Sequence, residues 1–195
     1  YPALQQDIKV DIAIIGGGIV GISTAYLLSQ HGLRVAILEA DRILRGTTGH
    51  TTAKITSQHG LIYSQTKKKL GEELARQYAD ANETAIRMIY QMAEENHIEC
   101  DLTPQSAYVY TLEDKYIDPI RDETDTALSL GIKATYLDEI PLPFQVKAAV
   151  RFDEQAQFHP RKFLLPLAEK AVQQGVRIFE QSRVVDIEEG DRYIL

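Results

Sequence analysis

Hydrophobic residues near the start of the chain change from a continuous run to helical spacing and back again. Residues 10–15 form a short apolar run rich in β-branched side chains, which predicts a buried parallel strand. Apolar residues then recur at helical spacing over residues 19–30, and His31 and Gly32 end that pattern. A second apolar run covers residues 34–38. The pattern therefore predicts a β–α–β unit.

The turn between the first strand and the helix contains glycines with the spacing G-x-G-x-x-G, at Gly16, Gly18 and Gly21. Gly16 permits a tight turn, Gly18 lets the backbone approach a pyrophosphate, and Gly21 allows close packing of helix on strand. Glu39 ends the second strand, where a carboxylate accepts hydrogen bonds from ribose hydroxyls and repels a 2′-phosphate. We therefore expect an adenine dinucleotide other than NADP; the alternative is a glycine loop that only packs a helix on a sheet.

The middle of the chain has a different pattern, which begins with a long helix. Apolar residues at spacings of four and three predict one buried face for this helix, formed by Leu70, Leu74, Tyr78, Ala81, Ala85, Met88 and Met92. Later segments predict a strand at residues 107–112, a helix at residues 117–130 and a strand near residues 148–152. We interpret residues 61–144 as an inserted α+β part.

The last part of the chain returns to α/β character. A helix is predicted from Pro160 to Gly175, with a local distortion at Pro166. Its apolar stripe comprises Phe163, Leu164, Leu167, Ala168, Ala171 and Val172. Strands are predicted at residues 176–179 and 183–187, and residues 191–195 are expected to begin a hairpin partner. Because the chain begins at Tyr1 and ends within a strand-like pattern, we expect it to be truncated at both ends.

Composition narrows the classes of partner. The formal net charge of −7 argues against nucleic-acid binding through a basic face. The single cysteine, Cys100, excludes an intrachain disulfide and a cysteine-rich metal site, so we expect no metal and a reducing, cytoplasmic location. No apolar stretch approaches the roughly twenty residues that cross a bilayer, and we expect no membrane span.

The segment after the second strand separates cofactor classes. A nicotinamide-type fold would return through a helix to a third parallel strand, whereas here residues 42–60 form a polar, threonine-rich stretch. Together with the GGGIVG motif, residues 39–41, residues 46–48 and the segment from Pro160 to Glu188, this stretch resembles the D-amino-acid-oxidase (DAO) family of FAD-dependent oxidoreductases. The resemblance implies an α/β, Rossmann-like FAD-binding domain of the glutathione-reductase type at residues 1–60 and 145–195. Residues 61–144 would belong to the substrate domain.

The resemblance also implies a set of FAD contacts. It places Gly16, Gly18, Ile19, Val20 and Gly21 around the pyrophosphate, Glu39 at the adenosine ribose, and Ala40 and Arg42 on the adenine side. In the segment that runs beside the pyrophosphate and flavin, it assigns contacts to Gly46, Thr47, Thr48, Thr52 and Ala53, and it assigns the adenine edge to the backbone of Val184. The alternative for the threonines is an ordinary polar loop with helix caps.

Two residues are weak catalytic candidates. His50 matches a position where one branch of the family carries a histidine joined covalently to flavin, although Gly49 replaces the tryptophan often found beside it; the alternative is a loop histidine that orients a threonine or phosphate. Lys54 would place a positive charge near the isoalloxazine and favour the reduced, anionic flavin. Its alternative is a surface lysine.

The implied function is oxidation of a C–N bond of an amine or amino acid by hydride transfer to flavin N5, in a longer protein of which this chain alone would be inactive. Residues 47–60 also resemble a subgroup that carries a C-terminal Rieske iron–sulfur domain, which one cysteine excludes from this chain. A dehydrogenase that passes electrons to a Rieske centre is therefore one alternative. A non-catalytic dinucleotide-binding module and an NAD enzyme are the others.

Overall fold

The structure is a computed structural model that describes residues 1–191, 193 and 194. Its elements follow the chain in this order: β1 (Ile12–Ile15), α1 (Ile19–Ser29), β2 (Val35–Leu38), a 3₁₀ helix (Thr47–His50), β3 (Lys54–Ile55), α2 (Ile62–Leu70), α3 (Glu72–Glu95), β4 (Thr103–Thr111), a 3₁₀ helix (Asp114–Tyr116), α4 (Ile117–Ser129), β5 (Ala134–Leu137), β6 (Ala148–Gln157), α5 (Pro160–Gln173) and β7 (Arg177–Phe179).

The chain divides into two compact units. The first unit consists of residues 1–52, 96–100 and 159–195, and the second of residues 53–95 and 101–158. The division into an FAD-binding domain at residues 1–60 and 145–195 and an inserted part at residues 61–144 stays a prediction.

The first unit contains a parallel sheet with the strand order β1–β2–β7. All four residues of the central strand β2 are buried, as expected for an apolar strand between two parallel neighbours. Helices α1 and α5 pack against each other. The third strand of this sheet is β7, which lies near the end of the sequence. This confirms that the chain does not pass directly from Glu39 to the next parallel strand of the sheet.

An ion pair joins Asp11, the residue before β1, to Arg34, the residue before β2. The Arg34 guanidinium donates hydrogen bonds to both carboxylate oxygens of Asp11, with N···O distances of 2.6 and 3.1 Å. These bonds, reinforced by one from the Arg34 backbone N–H, lower the pKa of the Asp11 carboxyl group to about 2.

The strand predicted at residues 183–187 is wrong. This segment has no regular strand structure, and Val185 and Ile187 are 87% and 48% exposed. A strand needs a neighbour for its backbone hydrogen bonds, and within the described residues this segment has none. An isolated antiparallel bridge joins Glu188 to Ile194. Of the partner strand predicted at residues 191–195, positions 192 and 195 lie outside the described residues.

The second unit contains an antiparallel sheet built around β6. Strand β4 pairs with one side of β6, while β3 and β5 pair with different parts of its other side. Helices α2, α3 and α4 bury one face of the sheet. The core of this unit includes Tyr63, Ala75, Ala79, Ile120, Ala127, Leu130, Ala148, Val150 and Phe152. The pattern analysis missed β3 and β5, which are only two and four residues long.

Most of the face predicted for the long helix is also wrong, although Met92 is buried and Tyr78 packs against the core. Gly71, with a φ of +87°, separates α2 from α3, so the helical phase restarts after residue 71. Leu70 and Leu74 are 60% and 47% exposed, and the buried side of α3 starts at Ala75 and Ala79. These small residues allow α3 to pack closely on Tyr63. A pattern based on large apolar side chains does not identify alanines as the residues in contact.

The prediction for the helix that begins at Pro160 holds in part. Helix α5 continues through Pro166, and the predicted stripe is buried apart from Val172, which is 38% exposed.

No helix in the described part of the chain is long and apolar enough to cross a membrane. The described residues also contain no group of three or more His, Cys, Asp or Glu side chains arranged to hold a metal ion.

A buried carboxylate fixes the start of α2. Glu123 of α4 is 0% exposed, and its Oε1 and Oε2 atoms accept hydrogen bonds from the backbone N–H groups of Tyr63 and Ser64 at 2.9 and 2.7 Å. These N–H groups belong to the first turn of α2, where no intrahelical acceptor exists. The favourable interaction between a carboxylate and a helix N-terminus thus connects α2 to α4.

We expect Glu123→Ala to lower the free energy of unfolding by about 2–3 kcal/mol, because it leaves two buried N–H groups without an acceptor. Urea denaturation followed by circular dichroism measures this loss. Asp125→Ala, at an exposed position on the same helix, is the matched control and should change the value by no more than about 0.5 kcal/mol. Equal effects of the two substitutions would contradict the capping role.

Candidate functional site

The candidate site lies at the glycine-rich turn between β1 and α1, in the first unit. Gly16 adopts a φ of +102°, a conformation that residues with a Cβ rarely adopt. Its N–H donates to the carbonyl of Leu38 at 2.9 Å, so the turn begins at the carboxyl end of the sheet. In open α/β sheets, this end is where ligands bind.

Gly21 lets α1 pack directly on this turn. A Cβ atom added to Gly21 would lie 2.0 Å from the carbonyl oxygen of Gly16 and 3.3 Å from Cγ2 of Ile14. No side chain can be accommodated there without moving the backbone. The contact therefore sets the distance of the helix N-terminus from β1, as the spacing of the motif predicts.

The first turn of α1 presents unpaired donors. The N–H of Ile22 is the first to bond within the helix, to the carbonyl of Gly18 at 3.0 Å. The N–H of Ile19 donates to Oγ1 of Thr48 at 3.1 Å, whereas nothing in the described part of the chain accepts from the N–H groups of Gly18, Val20 and Gly21. These three donors at the positive end of the helix dipole make the turn suitable for an anion such as a pyrophosphate.

Glu39 connects the end of β2 to the same turn. Its Oε2 accepts a hydrogen bond from the N–H of Gly17 at 2.7 Å, and its Oε1 accepts one from the N–H of Asp41 at 2.8 Å. A carboxylate offers about four lone-pair sites, so two remain for hydroxyl donors. Glu39 thus holds the loop and stays available to a ribose.

The side chain of Thr48 connects the threonine-rich segment to the site. Thr48 is buried at 7% exposure, and its hydroxyl accepts from Ile19 as described. Its proton remains able to donate, which is compatible both with a helix cap and with a phosphate contact. Gly46, Thr47 and His50, in and beside the same 3₁₀ helix, are exposed.

The remaining predicted contacts are more dispersed. Ala40 and Val184 are partly exposed, and Arg42 and Thr52 are exposed residues of the first unit. Ala53, with a φ of +60°, and Lys54, an exposed residue of β3, belong to the second unit. The structure therefore brings together Gly16 to Gly21, Glu39 and Thr48 by direct contacts.

Sequence reasoning missed the residues that support the turn from behind. The N–H of Leu44 donates to the carbonyl of Gly17 at 3.0 Å, and Leu44 is buried with a φ of +60°. A Cβ atom on Gly17 would lie 2.5 Å from Cγ2 of Ile43. The available signal was the additional glycine between Gly16 and Gly18, which the minimal motif does not require.

This geometry defines a dinucleotide-binding α/β protein. It joins a parallel sheet, a glycine turn that exposes helix N–H groups, and a carboxylate at the end of the second strand. Residues 11–195 match the family model "FAD dependent oxidoreductase" (DAO), and the chain belongs to this family. FAD is the cofactor of the family, and the turn, the free donors and Glu39 fit its AMP half.

Known proteins share the fold over almost the whole chain. The chain is 43% identical over 192 residues to the "Putative Rieske 2Fe-2S iron-sulfur protein YhfW" of Bacillus subtilis (strain 168), covering 98% of this chain and 38% of that protein. It is 23% identical to the gamma-glutamylputrescine oxidoreductase of Escherichia coli (strain K12), covering 96% of this chain and 45% of that protein. The chain therefore spans less than half the length of these relatives.

A solved structure gives the same result for the fold. L-amino acid deaminase from Proteus myxofaciens, in complex with anthranilate, superposes with a TM-score of 0.74 at 22% identity. The superposition covers 98% of this chain and 42% of that one. This likeness confirms the predicted α/β fold class.

We expect Gly21→Ala to lower the free energy of unfolding by about 2 kcal/mol or more, because its Cβ collides with the Gly16 carbonyl. Thermal or urea unfolding measures the change. Gly18→Ala is the matched control, because Gly18 has extended dihedral angles and the nearest atom to its added Cβ is Oγ1 of Thr48 at 3.3 Å. A Gly21→Ala protein as stable as Gly18→Ala would contradict the packing role of Gly21.

Proposed function

We propose that this protein uses FAD to oxidise a C–N bond of an amine or amino acid. FAD, held by the Gly16–Gly21 turn and Glu39, would supply the hydride acceptor for this oxidation, and water would hydrolyse the imine product. The observation that carries the proposal is the α1 N-terminus with its three free N–H groups beside Glu39, in a chain of the DAO family. The E. coli relative, an oxidoreductase of gamma-glutamylputrescine, supports an amine as the substrate class.

The proposal assigns a role to each part of the chain. Gly16 to Gly21 would hold the pyrophosphate, Glu39 the ribose, and Thr47 and Thr48 the phosphate by their hydroxyls. Residues 1–60 and 145–195 would form the FAD-binding domain, and residues 61–144 would contribute to the substrate domain. Such chemistry needs few protein acids or bases, because the protein binds and orients while the cofactor carries electrons.

Lys54 has an electrostatic role in this proposal. Its ammonium group, on an exposed position of β3, would lie near the isoalloxazine and stabilise negative charge on the reduced ring. The proposal gives His50 no covalent link to the flavin.

A second candidate is a dehydrogenase that passes its electrons to a Rieske centre instead of oxygen. The supporting observation is the 43% identity to the Bacillus subtilis relative, which is named as a putative Rieske 2Fe-2S iron-sulfur protein. A Rieske centre needs two cysteine and two histidine ligands, and this chain contains one cysteine. The centre would therefore belong to a different polypeptide segment or a partner.

The function is tested by anaerobic titration of the FAD-loaded protein with amines, amino acids and, as a C–O comparison, glycerol 3-phosphate. We expect an amine or amino acid to bleach the flavin absorbance. Peroxide release after admission of oxygen identifies an oxidase, and bleaching without peroxide favours the Rieske-linked dehydrogenase. Bleaching by none of the amines would reject the proposal and favour a non-catalytic dinucleotide-binding module.

The cofactor site is tested separately with Gly18→Ala. We expect this substitution to weaken FAD binding at least about tenfold, or about 1.4 kcal/mol, because a methyl group at Gly18 keeps the backbone from approaching the phosphates. Flavin fluorescence quenching on titration of the apoprotein measures the dissociation constant. The melting temperature of the apoprotein is the control and should change little, whereas unchanged FAD affinity would contradict the assignment of the pyrophosphate to this turn.

A further inference from the structure

The chain that follows β7 stays attached to the chain that follows β2, beyond the ends of both strands. The N–H of Glu39 donates to the carbonyl of Phe179 at 2.9 Å, and the N–H of Ser182 donates to the carbonyl of Glu39 at 2.8 Å. The N–H of Gln181 donates to the carbonyl of Asp41 at 2.9 Å. The end of the last strand therefore lies beside the segment that leads from Glu39 to the back of the glycine turn.

Glu180 connects this attachment to the back of the glycine turn. Its side chain is 13% exposed, and its Oε1 accepts a hydrogen bond from the backbone N–H of Ile43 at 2.9 Å. Its Oε2 accepts one from the amine of Tyr1 at 2.8 Å. Burial raises the pKa of the Glu180 carboxyl group, but these two hydrogen bonds outweigh burial and hold the pKa below its usual range. Glu180 is therefore an ionised acceptor for the peptide of a residue that is only 6% exposed.

Ile43 and Leu44 support Gly17 directly. A Cβ atom on Gly17 would lie 2.5 Å from Cγ2 of Ile43, so the Ile43 side chain occupies the space beside this glycine. The N–H of Leu44 donates to the Gly17 carbonyl at 3.0 Å. Leu44 has a φ of +60°, and a residue with a Cβ keeps such a conformation only where the surrounding contacts hold it. The bond to Glu180, one residue earlier, is one of these contacts.

We propose that Glu180 is a positioning residue for the cofactor: by holding the Ile43 peptide, its carboxylate keeps Ile43 and Leu44 against Gly17 and so fixes the glycine turn in the conformation that binds the FAD pyrophosphate. The inference rests on the assignment of the pyrophosphate to this turn in the proposed function. All the residues involved belong to the first unit. A turn that samples other conformations binds a phosphate more weakly, because only the competent fraction of the molecules binds.

The test compares two substitutions of Glu180 by titration of the apoprotein with FAD, followed by flavin fluorescence. We expect Glu180→Leu to weaken FAD binding about tenfold, because the Ile43 N–H loses its acceptor and the turn its support. Glu180→Gln should bind FAD within about twofold of the unmodified protein, because its amide oxygen still accepts from Ile43. Glu188→Leu, at an exposed glutamate of the same terminal segment, is the matched control and should leave the affinity unchanged.

The pair of variants separates this role from attachment of the start of the chain. Glutamine has one acceptor oxygen, which the buried Ile43 N–H takes while the exposed amine of Tyr1 turns to water. If Glu180 acted through Tyr1, Glu180→Gln would weaken FAD binding as much as Glu180→Leu, and that result would overturn the proposal. Affinities are compared below the melting temperature of every variant, so that a loss of stability alone does not change them. Glu180→Ser, whose hydroxyl is too short to reach Ile43, replaces Glu180→Leu if that protein does not fold.

Hydrogen exchange of the FAD-free chain provides a second measurement. We expect the amides of Gly17 and Leu44 to exchange faster in Glu180→Leu than in Glu180→Gln, whereas the amide of Ile37, inside β2, should exchange at the same rate in both. Faster exchange at the turn together with normal FAD affinity would show a merely structural glutamate and contradict the positioning role.

Three outcomes separate this inference from the proposed function. If Glu180→Leu binds FAD normally while Gly18→Ala binds it weakly, the positioning role is rejected and the pyrophosphate site stands. If Glu180→Leu weakens FAD binding but no amine or amino acid bleaches the flavin, the positioning role stands and amine oxidation is rejected. If neither substitution changes the affinity for FAD, the assignment of the pyrophosphate to this turn is rejected, and the positioning role with it.

Discussion

The carboxylate of Glu39 is the interaction on which the nucleotide site depends. It binds the N–H of Gly17 from the end of β2, and the Gly17 carbonyl in turn accepts from Leu44. The glycine turn is thereby held between the second strand and the segment that follows it. With the turn fixed, the close contact between Gly21 and Gly16 determines where the unpaired N–H groups of α1 point. These contacts hold the glycine-rich loop in one conformation, which the proposed pyrophosphate site requires.

Local signals were sufficient for the first part of the fold. The run before Gly16, the helical spacing after Gly18 and the apolar run before Glu39 predict β1, α1 and β2 to within two residues, because each element is specified by its own neighbours. The prediction of a strand at residues 183–187 was wrong because a strand forms only when another segment of the chain pairs with it. The prediction for the buried face of α3 was mostly wrong for two reasons. Gly71 interrupts the helix, and two alanines, Ala75 and Ala79, begin its buried side.

The site was predictable to the same degree. The close approach of Gly21 to Gly16 follows from residue type and spacing, and Glu39 is bound to the same turn through the N–H of Gly17. The contacts of Gly17 with Ile43 and Leu44, and the bond between Ser57 and Gln155, join positions far apart in a single sequence. No periodicity encodes them. The positions assigned to Ala40, Arg42, Thr52, Ala53 and Val184 come from family resemblance and stay predictions.

The position of β7 has a consequence for the order in which the protein folds. Its residues pair with β2, so that Leu38 lies beside Phe179, and the whole second unit is inserted between these two strands. Closing so long a loop costs chain entropy before any strand pairing compensates for it. During synthesis, the pairing of β2 with β7 must therefore wait for the inserted unit to leave the ribosome. The sheet of the inserted unit contains no strand of the first unit, so the inserted unit is free to fold first. Its folding would shorten the loop that must be closed between β2 and β7.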